Sequence, residues 1–131
     1  MQYSAEEVRT YRETRISYGI MNGSKTIVLL KVGRGGNIYG ENNSHPEVYL
    51  HLAQEINRHY GFTVIVSDNP VIETNPNPLI YDVQFVSEYA DRFGFTDFSI
   101  VYVGFSAGAN YGAWFGYLFP EIQRMLLIRA C

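Results

Sequence analysis

Ser106 stands between two glycines in Gly104-Phe105-Ser106-Ala107-Gly108. An apolar run, Phe98 to Val103, precedes it, and a stretch rich in small residues, Ala109, Gly112, Ala113 and Gly116, follows. A Gly-x-Ser-x-Gly turn from a buried strand into a helix is tight, and the glycines make room for it. Such a turn lifts the serine hydroxyl above the carboxyl ends of the strands. It also aims the first amides of the next helix at the same place. The chemistry this predicts is nucleophilic attack by Ser106, with the Ala107 amide and the helix dipole stabilising an oxyanion.

A serine hydroxyl is a weak nucleophile without a general base, and the base needs an acid to orient it. After Ser106 the chain holds one carboxylate side chain, Glu121, and no histidine. The three histidines, His45, His51 and His59, all precede the serine. His51 and His59 fall on a predicted helix and read as surface or helix-end residues. His45 falls in a loop that should lie near the carboxyl edge of the sheet, so it is a candidate base as well as an ordinary first-turn residue. Asp68 follows a strand on the same edge. Its ordinary reading is a turn residue with Asn69-Pro70, and its position also makes it a candidate to orient a base.

The elements that must position these residues follow from the hydrophobic pattern. Thr10 to Met21 alternates weakly and reads as a strand ended by Asn22-Gly23. Thr26 to Val32 is almost continuously apolar, as in a strand covered on both faces. A glycine-rich loop, Gly33-Arg34-Gly35-Gly36-Asn37, follows it. A helix is predicted from about Ser44 to Tyr60, with Ser44 as N-cap, Pro46 in the first turn and Glu47 closing a capping box. Val48, Leu52, Ile56 and Tyr60 share one face, and Gly61 ends the helix. Phe62 to Val66 is the next buried strand, and the proline-rich stretch Pro70 to Pro78 is a loop. Leu79 to Phe93 is helical, with Val83, Val86 and Ala90 on one face. Phe98 to Val103 leads to the serine turn and its helix, and Glu121 to Ile128 is a last short strand. This alternation calls for a mostly parallel sheet with helices on both faces, a three-layer α/β/α arrangement. The first strand is free to run antiparallel, since only a short turn joins it to the second.

The chain of 131 residues is long enough for one domain, and 47% apolar content suffices for a packed core. A net charge of −3 with no basic stripe gives no support to a nucleic-acid partner. The apolar runs are too short for a membrane span, and the polar, acidic first residues do not read as a signal peptide. The lone Cys131 cannot form an internal disulfide, so the cytoplasm is the expected compartment. The 11 tyrosines and 8 phenylalanines fit either an aromatic pocket or a tyrosine-rich core. Tyr111, Trp114, Phe115 and Tyr117, after the serine turn, are open to the same two readings.

Two segments together resemble the α/β-hydrolase family, and the resemblance covers roughly residues 15 to 128. Thr26–Val32 with Gly33-Arg34-Gly35-Gly36 is similar to the family's third strand and oxyanion loop. Val103-Gly104-Phe105-Ser106-Ala107-Gly108-Ala109 is similar to its fifth strand and nucleophile elbow. Where the family usually has His-Gly at the head of the oxyanion loop, this chain has Val32-Gly33. The resemblance implies a truncated α/β-hydrolase fold and hydrolysis of an ester, thioester or amide through an acyl-enzyme on Ser106. It makes the Arg34 amide the second oxyanion donor, with Gly33, Gly35, Gly104 and Gly108 in support. It implies a small acyl substrate, no cofactor and no metal. In the family the acid and the histidine follow the serine, and here neither does. The chain is therefore expected to be an incomplete domain spanning 1–131, a fragment from the N-terminal half with little or no activity alone. Its bare last strand predicts association of copies through the open sheet edge.

Two other classes compete. Gly33-x-Gly35 after a strand faintly resembles a dinucleotide site, but Ile38 occupies the place of the third glycine and Asp68 lies too far on. A non-catalytic binding or scaffold protein that keeps the fold accounts directly for the absent acid and base.

Overall fold

The computed structural model describes residues 2–39, 48–70 and 77–128 of the chain. Six strands form one sheet: β1 (Ala5–Tyr11), β2 (Thr14–Met21), β3 (Ser24–Lys31), β4 (Phe62–Ser67), β5 (Ser99–Phe105) and β6 (Ile122–Ile128). Among the described residues three helices connect or follow them: α1 (Val48–Tyr60), α2 (Leu79–Arg92) and α3 (Ala107–Phe115), the last prolonged by a short tight turn, Gly116–Leu118. The strand order is β1-β2-β4-β3-β5-β6. Strands β4, β3, β5 and β6 run parallel to one another, while β2 pairs antiparallel with β4 and β1 antiparallel with β2.

The core has two halves, one on each face of the sheet. Leu50 and Ala53 of α1 pack with Val28, Leu30, Val64 and Val66. On the other face Val83, Val86 and Ala90 of α2 pack with Ile27, Leu29, Ile65, Ile100 and Tyr102, and Tyr111 and Phe115 of α3 lie against the same cluster. The strands covered on both faces are the ones whose sequence is continuously apolar, TIVLL, TVIV and IVYV. Among the described residues no helix is long and apolar enough to cross a membrane.

Three expectations from the sequence are corrected. The polar segment before Thr10 is strand β1, and Arg12-Glu13 turns the chain back into β2, with Arg12 at a left-handed φ of 56°. Alternation in β1 is carried by charged residues at an edge, where hydropathy gives little signal. Strand β2 pairs with β4, not with β3, so the short Asn22-Gly23 connection does not make a hairpin. The buried residues of α1 are Tyr49, Leu50 and Ala53, while Val48 and Tyr60 are exposed. The helix is therefore turned by about one residue from the predicted stripe. The predicted first turn, Ser44 to Glu47, lies outside the described residues.

Candidate active site

Ser106 follows the last residue of β5 and caps α3, with φ 55° and ψ −112°. A non-glycine residue in that region is strained and persists only when its surroundings enforce it. Here the enforcement is visible. A Cβ on Gly104 would stand 2.4 Å from the Gly108 carbonyl oxygen, and one on Gly108 would stand 2.6 Å from the Lys31 carbonyl oxygen. The turn is thus closed by backbone against backbone, and only glycine fits at both places. Around it, the Ser106 amide donates to the Ile128 carbonyl at 2.8 Å, and the Tyr102 hydroxyl donates to the Gly108 carbonyl at 2.6 Å. The Ser106 carbonyl accepts from the amides of Ala109 and Asn110. The Ser106 hydroxyl makes no capping hydrogen bond to the helix and is only partly buried. It is left available at the carboxyl end of the sheet.

The second loop of the site lies beside it, because Lys31 at the end of β3 pairs in register with Gly104 of β5. Gly35 takes a left-handed φ of 75°, with open space where a side chain would be. Its amide donates to the Asn69 carbonyl at 2.8 Å, and the Gly36 amide donates to the Gly33 carbonyl at 2.9 Å. The Asn69 amide donates to the Gly36 carbonyl at 3.1 Å, and its side-chain nitrogen donates to the Val32 carbonyl at 3.0 Å. The Tyr49 hydroxyl accepts from the Gly33 amide at 3.4 Å. Among the described residues no backbone acceptor takes the amide of Arg34 or of Ala107. Ala107 is the first residue of α3, where an amide has no acceptor in its own helix. Both amides expected to stabilise an oxyanion thus lack a backbone acceptor among the described residues, and both lie on neighbouring segments at the same end of the sheet. The Arg34 side chain is exposed to solvent.

Among the described residues no hydrogen bond or ion pair joins the remaining candidates to Ser106. His51 and His59 are exposed on α1, and His59 stands 3.2 Å from Glu55. His45 lies outside the described residues. Asp68 accepts from the Ser17 amide at 3.1 Å, tying the end of β4 to β2. Burial pushes its carboxyl above the usual range, and hydrogen bonds from the amides of Ser17 and Ile38 oppose that shift. The Glu121 carbonyl accepts from Ile100 at the amino end of β5, whereas Ser106 follows the carboxyl end. A seven-residue strand separates the two by roughly 20 Å. Tyr111 and Phe115 pack against the core, while Trp114 and Tyr117 are exposed. Among the described residues no group of three or more His, Cys, Asp or Glu side chains is placed to hold a metal ion.

Sequence reasoning missed a buried polar cluster directly beneath the two loops. The Lys31 ammonium, fully buried, lies 3.0 Å from the Asp82 carboxylate, itself fully buried. It also donates to the Ser67 hydroxyl at 3.0 Å and to the Asp68 carbonyl at 2.6 Å. Asp82 accepts from Tyr18 at 3.0 Å and from Ser67 at 2.7 Å. Burial first, and then the Asp82 charge, push the Tyr18 phenol far above its usual value. The cluster holds Asp68, and the next residue, Asn69, shapes the glycine loop and accepts from Tyr111 of α3 at 3.3 Å. The signal was present in the sequence: a lysine inside an apolar strand needs a buried counter-charge, and Asp82 sits among Leu79, Val83 and Val86 on the buried face of a helix.

This arrangement of sheet, elbow and loop has counterparts among solved structures. Est1E from Butyrivibrio proteoclasticus superimposes with a TM-score of 0.67 over 95% of this chain and 50% of its own, at 12% identity. A putative α/β hydrolase of unknown function from Agrobacterium tumefaciens gives 0.65 over 92% and 58%, at 14% identity. The chain has the α/β-hydrolase fold. A soluble variant of monoglyceride lipase from Saccharomyces cerevisiae gives 0.65 over 91% of this chain and 42% of its own, at 14% identity. The chain thus spans about half the length of the α/β-hydrolase structures it matches. No family model and no curated protein matches its sequence.

Proposed function

We propose that this chain is the nucleophile-bearing half of a serine hydrolase acting on an ester, thioester or amide, with Ser106 as nucleophile. The single observation that carries the reading is the strained Ser106 backbone, φ 55° and ψ −112°, held by close-packed glycines at the carboxyl end of β5. Such a conformation costs about 1–3 kcal/mol, strain of a kind that gathers at functional sites, and in a Gly-x-Ser-x-Gly turn it lifts the serine hydroxyl to the end of the sheet. In the proposed reaction the Ser106 oxygen attacks the substrate carbonyl carbon and its proton passes to a general base. The carbonyl oxygen becomes an oxyanion that accepts from the amides of Ala107 and Arg34. Collapse expels the alcohol, thiol or amine with a proton, and water then hydrolyses the acyl-enzyme. Asn69, Tyr49 and the Lys31–Asp82 pair act as positioning residues for the glycine loop. The base and its orienting acid are proposed to come from polypeptide other than the described residues. The length of the matched structures supports that origin. We also propose that the chain works as an assembly along its open β6 edge.

Labelling with a fluorophosphonate probe tests the reading. A serine aided only by two amides should label slowly, and Ser106→Ala should remove the signal altogether. Label that persists in Ser106→Ala would sink the assignment. The mass of the natural gene product separates the two forms of the idea. A product about twice the 15.0 kDa of this chain carries the rest of the triad downstream. The placement of Glu121 at the far end of the sheet and of His51 and His59 on the surface favours a second reading, a non-catalytic binding protein on the same fold. Under that reading a natural product of 15.0 kDa leaves Ser106 unlabelled.

A further inference from the structure

The glycine loop after β3 is gripped from two sides at its far end, Ile38, which is buried. The hydroxyl of Tyr3, in the segment before β1, donates to the Ile38 carbonyl. The Tyr3 ring is buried as well, and it occupies space that a side chain on Gly19 of β2 would take: a Cβ there would stand 2.6 Å from the ring. It also meets Tyr39, with ring centroids 5.7 Å apart, and the Tyr39 hydroxyl donates to Glu6 of β1 at 2.6 Å. Burial above all, and then the neighbouring Tyr39, Glu6 and Asp68, push the Tyr3 phenol far above its usual value. It therefore keeps its proton and stays a donor. On the amide side the Asp68 carboxyl accepts from Ile38, as it does from Ser17, and both amides favour its charged form. Asp68 is itself held firmly. Its Oδ2 accepts from the Ser17 amide at 3.1 Å, its own amide donates to the Ser17 carbonyl at 3.0 Å, and its carbonyl accepts from the Lys31 ammonium at 2.6 Å. The next residue, Asn69, fixes the nearer part of the loop through Gly35 and Gly36. Two adjacent glycines leave a chain many conformations, so the shape of this loop depends on anchors beyond both of them.

We propose that Tyr3 and Asp68 are positioning residues for the Arg34 amide: they clamp the Ile38 peptide from both sides and hold the glycine loop in the shape that keeps that amide free of a backbone acceptor beside the elbow. The inference rests on the reading of Ser106 and Arg34 given above. It brings the segment before β1 into the site, and it assigns the Asp68 carboxyl to the loop rather than to a catalytic base. Oδ1 of that carboxyl is buried without a donor among the described residues, and burial raises its pKa in spite of the two amides and the Lys31 charge. The clamp therefore has a titratable half, Asp68, and a half that stays protonated, Tyr3.

Two variants of nearly unchanged shape, Tyr3→Phe and Asp68→Asn, test the clamp in the full natural gene product, with Tyr11→Phe as control. The Tyr11 hydroxyl also donates to a carbonyl, that of Tyr81 at 3.4 Å, but on the opposite face of the sheet. Hydrogen exchange at the amides of Gly35, Gly36 and Ile38 should speed up about tenfold in Tyr3→Phe, as for the loss of one hydrogen bond, and at least as much in Asp68→Asn. Tyr11→Phe should leave it unchanged, and the amides of β3 and β5 should exchange as in the parent in all three. Fluorophosphonate labelling of Ser106 should slow by about the same factor in the two clamp variants alone. In the parent the Ile38 and Ser17 amide resonances should titrate together, with a midpoint above the ordinary 3.8 of an aspartate. The other titratable groups facing Asp68 are Lys31 of β3 and Tyr3, and Asp68→Asn separates its titration from theirs by abolishing it. Failure of the Ser106 reading shows separately, as label that persists in Ser106→Ala, while exchange and titration still answer for the clamp. Loop amides that exchange as in the parent in both clamp variants overturn the proposal. So does faster exchange at the loop with labelling of Ser106 unchanged.

Discussion

At one margin of the sheet, β1 alternates half-buried and exposed residues and is tied down by charge. Glu7 meets Arg9 at 2.9 Å and Arg92 of α2 at 2.6 Å, and Arg9 reaches Glu88 at 3.5 Å. At the other margin β6 runs from Arg124 to Ile128 without a carboxylate, and most of its side chains are exposed. Both strands leave one row of backbone groups unpaired within the sheet. Charged side chains along such a row discourage pairing with another chain, and apolar ones invite it. The two margins therefore differ in kind, one closed by charge and the other apolar. The serine stands beside the apolar margin: its amide is fixed by the last described residue of β6, and its helix borders a groove lined by Ala109, Asn110, Ala113, Trp114 and Leu127. Charge secures the margin away from Ser106, while close backbone contact and apolar surface shape the margin beside it.

The contrast is sharpest where charge enters the core between the two margins. Removing one member of the fully buried Lys31–Asp82 pair leaves the other charged and unpaired. Asp82→Ala should cost about 3–5 kcal/mol in denaturant unfolding. Replacing both by apolar residues of similar volume, Lys31→Met with Asp82→Leu, should restore most of that loss. If the single variant unfolds within 1 kcal/mol of the parent, an order below which surface pairs fall, the cluster does not secure the loops as described.

The next effect belongs to the elbow. Gly108→Ala places a Cβ 2.6 Å from the Lys31 carbonyl and should cost at least the ~1–3 kcal/mol typical of overpacking, with loss of probe labelling at Ser106. Gly35→Ala is the matched control. Its site is open and only its φ of 75° resists a side chain, so the cost should be about 1 kcal/mol. Equal costs at the two glycines, measured in the same denaturant series, would remove the case that contact rather than conformation closes the elbow.

How much of this was legible beforehand differs between the same two regions. The buried parallel strands, α2, the elbow and the glycine loop are written in continuous apolar runs and fixed glycine spacings, signals that depend on a few neighbouring residues. Strand β1 was not legible, because an edge strand covered by ion pairs shows charges where hydropathy looks for apolar alternation. Nor was the pairing of β2 with β4, which depends on contacts between segments more than forty positions apart, such as Ile20 with Ile65. Asn69 read as a turn residue, and its role appears only when the loop it shapes is folded back upon it.

The smallest effect lies at the charged edge, and it has a sign. Hydrogen bonding to Arg92 holds the Glu7 carboxyl below its ordinary value of 4.5, against a burial that would raise it. A carboxyl with a lowered folded pKa stabilises the fold above its unfolded pKa. That contribution is lost as pH falls through the folded value. Glu7 is partly exposed, so solvent screening limits the term to about 0.2–1 kcal/mol at neutral pH. Glu7→Gln should lose that amount at pH 7 and nothing at a pH well below the folded value, so the parent and variant curves should converge from above as acid is added. Salt should shrink the difference at neutral pH. The variant should also leave the oligomeric state unchanged. A Glu7→Gln chain that gains a new associated form would show instead that the ion pairs of β1 are what keep that edge from pairing, and that the two margins differ by only a few charges.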